Sequence, residues 1–296
     1  MFDQIKKWSQ MIKIEHTLFS LPFVLSASLL AIIYKGYDFS NWQNFVWIML
    51  ALFAARSAGM TLNRLIDAKI DAKNPRTAER EIPKGDISKT TALVFSILMI
   101  GLLFFSATQL PSICVKLFPI AFIWLITYSF LKRFTWLCHF FLGTTLGGAT
   151  YAGWIAITGS VFDLSQKFLW LPVYFALAVS FWVAGFDIYY ALQDEDFDKK
   201  EKLHSVPSKF GTKGAKMIAR FCHLLTPVFL LLTSIELHLG WAFKSGILAV
   251  MACLVYEQKL VEENKIEKAF FTINTWISVL ILFFVLIEFC LGVKNI

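Results

Sequence analysis

Nine stretches of this chain are long and apolar enough to cross a lipid bilayer, and that leaves it few folds to adopt. They run at approximately 17–34, 44–62, 91–109, 117–131, 138–157, 168–189, 217–236, 241–257 and 270–292. A stretch that spans hydrocarbon must pair its own backbone N–H and C=O groups, which makes each of these a helix. The expected fold class is therefore all-α, a polytopic membrane protein of about nine transmembrane helices forming a single domain over residues 1–296. Composition agrees: the chain is 57% hydrophobic and only 17% charged, with 30 Phe and 10 Trp, too apolar for a water-soluble domain. The fourth and eighth stretches are short, so tilt or partial burial is expected there. The first follows Lys6, Lys7 and Lys13 with no clear small-residue cleavage site, and reads as a retained span.

The net charge of +7 does not point to nucleic acid, because the basic residues lie in the connections between apolar stretches. Of 28 Lys and Arg, only Lys35, Lys116, Lys167, Lys244 and Lys294 fall on one side, and Arg56 lies inside the second stretch. All others fall at the amino terminus, in the second, fourth, sixth and eighth connections, or, for Arg220, at the start of the seventh stretch beside the sixth connection. That asymmetry places the amino terminus and the two long, charged loops, 63–90 and 190–216, in the cytoplasm. The five cysteines form neither a CxxC nor a metal-ligand spacing and read as small buried apolar residues. Gly143, Gly147, Gly148 and Gly153 on the fifth stretch predict close approach of neighbouring helices. Trp170 and Tyr189/Tyr190, at opposite ends of the sixth, read as interfacial aromatics.

Each long loop opens with acids. Asn63, Asp67 and Asp71 are four residues apart, so on a helix they stack on one face about 6 Å apart. Three oxygen-bearing side chains in that arrangement suit a hard cation such as Mg²⁺. Asp194 and Asp198 repeat the spacing after the sixth stretch, and Asp187 falls near the same face two turns deeper. An ionisable group at that depth is costly without a partner, which makes it a functional candidate. Two acid clusters on separate helices can converge on a pair of Mg²⁺ ions that hold a diphosphate and stabilise it as a leaving group. Lys73, Arg76 and Arg80 follow the first cluster, and Lys199, Lys200 and Lys202 follow the second. Arg offers bidentate phosphate contacts and Lys a point charge.

These motifs carry a family resemblance. Asn63-x₃-Asp67-x₃-Asp71, with Arg76-Thr77, Arg80, Pro83 and Gly85, resembles the first signature of the UbiA superfamily of intramembrane prenyltransferases. Asp194-x₃-Asp198, with Phe186-Asp187 upstream and Ser205 to Gly211 downstream, resembles the second. Tyr128-x₃-Lys132-Arg133 is similar to the YxxxK element between them. Arg64 stands where the family often has Asp, and Glu81 where it often has Pro.

The resemblance implies a helical bundle around a central cavity capped by the two cytoplasmic loops. It implies transfer of a prenyl chain from a prenyl diphosphate to an aromatic acceptor. Asn63, Asp67, Asp71, Asp194 and Asp198 would then bind Mg²⁺ and the diphosphate, with Arg76, Arg80, Lys132 and Lys200 as further diphosphate ligands. Tyr128 would face the allylic carbon or a diphosphate oxygen. The wording of 12–23 and 63–77 is most similar to a 4-hydroxybenzoate polyprenyltransferase-like bacterial branch, which implies the bacterial inner membrane and respiratory quinone biosynthesis. The acceptor would be 4-hydroxybenzoate or a dihydroxynaphthoate, with Lys13, His16 and Asp187 on the acceptor side. Haem- or chlorophyll-type acceptors and a cation-coupled transporter are the alternatives. A transporter would carry charges at the bilayer midplane, whereas these acids cluster at helix ends.

Overall fold

A computed structural model describes residues 2–13, 17–161 and 170–293. Among the described residues the regular structure is entirely helical. In order the helices are α1 (Phe2–Met11), α2 (Thr17–Tyr34), α3 (Asn44–Asp71), α4 (Lys89–Thr108), α5 (Ser112–Leu131) and α6 (Cys138–Thr158). There follow α7 (Leu171–Ala191), a 3₁₀ turn (Leu192–Asp194), α8 (Glu195–Lys200), α9 (Val206–Glu236) and α10 (Trp241–Glu262). The last rod is α11 (Ile266–Lys268), a π-turn (Ala269–Ile273) and α12 (Asn274–Val293).

Among the described residues seven helical segments are long and apolar enough to cross a membrane, where about nine were expected. The described apolar part of α2 is shorter, and α10 carries Lys244, Glu257, Lys259 and Glu262. Both still pack into the bundle, α2 against α6 and α12, and α10 against α12 and α9. The eighth apolar stretch ends at 257 in sequence. In the fold Glu257 is buried and takes a hydrogen bond from Asn274, so the helix runs on to Glu262.

The bundle is packed unevenly. Most of α7 is buried, chiefly against α6 and α9, whereas few residues of α5 are buried and it packs lightly on α3, α4 and α6. Glycines set the α6–α7 seam. A Cβ on Gly143 would lie 2.2 Å from the Ser180 carbonyl oxygen, and one on Gly147 would lie 2.4 Å from that of Ala176. Gly153 meets α2 at Val24. Gly148, expected to share this role, instead faces open space. Tyr189 is buried and the Tyr190 hydroxyl accepts from Arg76, so neither is an interfacial anchor, while Trp170 is exposed. Among the cysteines, all free, Cys222 is buried and Cys290 is exposed, contrary to a uniformly buried set.

Helix α1 has no counterpart among the apolar stretches. Its Met11, with Ile12 just beyond, forms a small second core with Ala68, Ile82, Ile87 and Ala92, and Trp8 packs on Phe95 with ring centroids 4.3 Å apart. Lys7 Nζ donates to Asp86 at 2.6 Å. The amino-terminal helix thus braces the loop that follows α3.

Candidate active site

α3 continues beyond its apolar part to Asp71, so Asn63, Asp67 and Asp71 ride one face of one helix, as their spacing predicts. Asn63 Nδ2 donates to Asp67 Oδ2 at 3.2 Å. The chain then turns back on itself. Thr77 Oγ1 donates to the Asp71 carbonyl at 3.0 Å, and Asn74 Oδ1 accepts from the Arg76 N–H at 3.0 Å in an Asx-type turn. This local geometry aims Arg76 and Arg80 towards the acids.

The second acid pair differs from expectation. The 3₁₀ turn after α7 breaks the α-helical repeat, so Asp194 and Asp198 do not share one continuous helical face. Each takes its own partner instead. Arg76 meets Asp194 with two hydrogen bonds, Nε to Oδ1 at 2.9 Å and Nη2 to Oδ2 at 2.5 Å, and Asn74 Nδ2 donates to Asp194 Oδ1 at 2.9 Å. Lys132 Nζ stands 2.8 Å from Asp198 Oδ1, an ion pair whose alignment falls short of a hydrogen bond.

The first cluster is paired in the same way. Arg80 Nη1 donates to Asp71 Oδ1 at 2.7 Å, and Arg133 Nη2 donates to Asp67 Oδ1 at 2.7 Å. Four aspartates from two parts of the chain are therefore each matched to one base. The contacts cross between them: Arg76, from the loop after α3, holds Asp194 after α7, and Lys132 after α5 holds Asp198 on α8. Burial works against the charge of Arg76, but the Asp194 carboxylate outweighs it and holds the guanidinium above its ordinary pKa. Lys132 is likewise raised, burial opposing the charge and Asp198 stabilising it.

The remaining candidates are placed as follows. Tyr128 on α5 points its hydroxyl at the Gly59 carbonyl of α3, at 3.4 Å. Lys200 is exposed at the end of α8. Asp187 does not join the Asp194 cluster. Its Oδ2 lies 2.6 Å from Nδ1 of His139 on α6, and Nε2 of that ring accepts from the Val206 N–H at 3.3 Å. With Nε2 accepting, Nδ1 carries the proton and donates to Asp187. Lys13 sits half-buried in the turn after α1 with a φ of 48°, and His16 lies outside the described residues. Arg64 is buried on α3, with Nε and Nη1 lacking hydrogen-bond partners.

Sequence reading quoted Arg133 with the YxxxK element but gave it no role, and it missed Asn74 and His139. The first two adjoin motif residues, and their neighbours Lys132 and Arg76 were the available signal. His139 gave none, because a lone histidine at a helix start has no distinguishing pattern.

Among the described residues no three His, Cys, Asp or Glu side chains stand close enough to hold a metal ion as they are. The donors nevertheless fit a hard cation. They are all oxygen, and Asp71 Oδ2 and Asp198 Oδ2 are buried without a hydrogen-bond donor. Buried carboxylate oxygens in that state have coordination to spare.

A bundle of apolar helices with a charged cluster at one end defines a polytopic integral membrane protein. The chain belongs to the UbiA prenyltransferase family, whose model matches residues 23–287, and it is accordingly an enzyme, a transferase. It is 26% identical over 290 residues to a 4-hydroxybenzoate octaprenyltransferase of Vibrio campbellii, covering 97% of this chain and 99% of that protein. Its fold is similar to the apo structure of a UbiA homolog from Aeropyrum pernix K1, with a TM-score of 0.85 and 29% identity over 93% of this chain and 98% of the other. A UbiA homolog from Archaeoglobus fulgidus, solved bound to GPP and Mg²⁺, shares the fold at a TM-score of 0.69 and 18% identity, covering 96% and 99%.

Proposed function

We propose that this enzyme transfers a polyprenyl chain from a prenyl diphosphate to a hydroxylated aromatic acid, 4-hydroxybenzoate or a dihydroxynaphthoate, in respiratory quinone biosynthesis, with Mg²⁺ as cofactor. The observation that carries this reading is the pairing of Asp67, Asp71, Asp194 and Asp198 with Arg133, Arg80, Arg76 and Lys132. Such a cluster holds both halves of what a metal diphosphate needs, carboxylates for cations and bases for phosphate oxygens. The names of the curated relatives support the aromatic acid, and the GPP- and Mg²⁺-bound homolog supports the donor and the metal.

Asn63 and the four aspartates would hold the metal. When bound, a divalent cation would neutralise charge developing on the departing diphosphate. On substrate binding Arg76, Arg80, Arg133 and Lys132 turn from carboxylates to diphosphate oxygens, and Lys200 adds positive charge nearby. Arg76 is suited to a bidentate grip, which it already makes on Asp194. Departure of diphosphate leaves an allylic cation beside Tyr128. The electron-rich ring of the acceptor attacks that cation, and the ring proton is then lost. The protein supplies orientation, charge stabilisation and exclusion of water, and needs no covalent nucleophile. Lys13, His16 and Asp187, the last oriented by His139, are the acceptor-side groups. The amino terminus and the acid clusters face the cytoplasm of a bacterial inner membrane.

Incubation with a labelled prenyl diphosphate, Mg²⁺ and a panel of acceptors tests this. Asp67→Ala and Asp194→Ala should each abolish turnover while leaving the protein inserted. Full Mg²⁺-dependent activity in either variant would remove the metal assignment.

A further inference from the structure

Between the α5–α6 connection and the α8–α9 connection lies a cleft of about 840 Å³ that the proposed reaction leaves without a role. Its walls include Trp136 on one side and Lys202, His204 and Lys209 on the other, and Asp198 borders it from within. Lys202, His204 and Lys209 are all exposed. Elsewhere on the charged loops Lys73, Lys84 and Lys216 each hold a carboxylate. Among the described residues Lys202 and Lys209 have no carboxylate within ion-pair distance.

The walls are stitched together. The His204 N–H donates to the Lys132 carbonyl at 2.7 Å, and Cys138 Sγ lies 3.5 Å from the His204 carbonyl oxygen. A capping box at Ser205 and Ser208 fixes the start of α9 on the same wall. The cleft is thus built on hydrogen-bonded helix ends, and Asp198, itself one of the four paired aspartates, both borders it and holds Lys132. The Asp198 side chain is fully shielded from solvent, so passage requires that pair to open.

We infer that this cleft binds a diphosphate anion and is the cytosolic passage by which inorganic diphosphate leaves after prenyl transfer. The inference rests on the proposed prenyl-diphosphate chemistry and adds the route of its polar product. A multiply charged anion cannot leave through hydrocarbon, while the prenylated product can. Lys202 and Lys209 line the cleft without carboxylate partners, beside Lys199, which holds Glu195, and offer an anion cationic contacts towards water. An aromatic acid fits the cleft less well. The Lys209 ammonium lies 4.8 Å from the centroid of the Trp136 ring, on the face where an aromatic substrate would stack.

The test replaces Lys202 and Lys209 together, by Gln and in a second protein by Glu, with melting temperature as the fold control. In an Asp67→Ala background, where the inner cluster is disabled, binding of inorganic diphosphate should weaken by about fivefold or more on Lys→Gln replacement. In the otherwise native enzyme steady-state kcat should fall, most for Glu, while the single-turnover rate stays unchanged. Unchanged diphosphate binding overturns the inference, and so does an effect confined to the acceptor KM. If the otherwise native enzyme transfers no prenyl chain while diphosphate binding still depends on both lysines, the proposed reaction is refuted and the anion site stands.

Discussion

Arg76 ties the loop after α3 to the second acid cluster. It holds Asp194 with two hydrogen bonds, donates to the Tyr190 hydroxyl at 3.1 Å, and lies over the Tyr190 ring with its guanidinium carbon 5.2 Å from the centroid. Lysine keeps the charge but cannot reproduce that planar fork. Arg76→Lys should therefore lower kcat/KM by roughly 10- to 100-fold, the loss of one charge-assisted hydrogen bond. Measured on prenyl diphosphate at saturating acceptor, an unchanged value would remove Arg76 from the diphosphate ligands. Much of this was legible in the sequence, because Arg76 and Arg80 follow an acid series that a helix must stack on one face. Which base meets which acid was not legible. Arg76 pairs across 118 positions and Arg133 across 66, and periodicity carries no information at that range.

At the scale of helices, small residues and one buried amide decide the packing. Gly143→Ala should destabilise the protein by about 1–3 kcal/mol, because its Cβ would press on a backbone carbonyl that cannot move aside. Gly148→Ala, on the same helix but facing open space, should stay within about 0.5 kcal/mol. Thermal melting in detergent separates the two. Sequence grouped these glycines together, since a GxxxG-like pattern shows that a close approach exists without showing which neighbour occupies which face. Asn274 is a second case. It accepts from the Trp182 indole at 2.7 Å, donates to Glu257 at 3.1 Å, and donates to the Phe270 carbonyl in the π-turn at 3.0 Å. Asn274→Ala leaves buried polar groups on α7 and α10 unpaired, and should cost about 1–3 kcal/mol by the same melting assay. Nothing in the sequence marked Asn274, because a single polar residue entering an apolar stretch shows its value only when its partners on other helices are known.

For the molecule as a whole, the apolar stretches made the all-helical architecture legible, and the distribution of Lys and Arg makes the orientation testable. In a background lacking the native cysteines, a cysteine at Lys35 should react with an impermeant thiol reagent in intact cells. One at Lys84 should react only after permeabilisation, and the reverse pattern would invert the proposed topology. Helix α1 escaped notice because its value lies in bracing a loop, through Met11 and Trp8, and not in spanning the bilayer. The uneven packing has a mechanical consequence. Asp194 and Asp198 follow α7, most of which is buried, whereas Lys132 caps the end of α5, of which little is buried. The two jaws of the cluster are thus mounted on foundations of different stiffness. Hydrogen exchange should be slower along α7 than along α5, and opening of the cluster should be a yielding of the α5 side against an anvil formed by α6, α7 and α9.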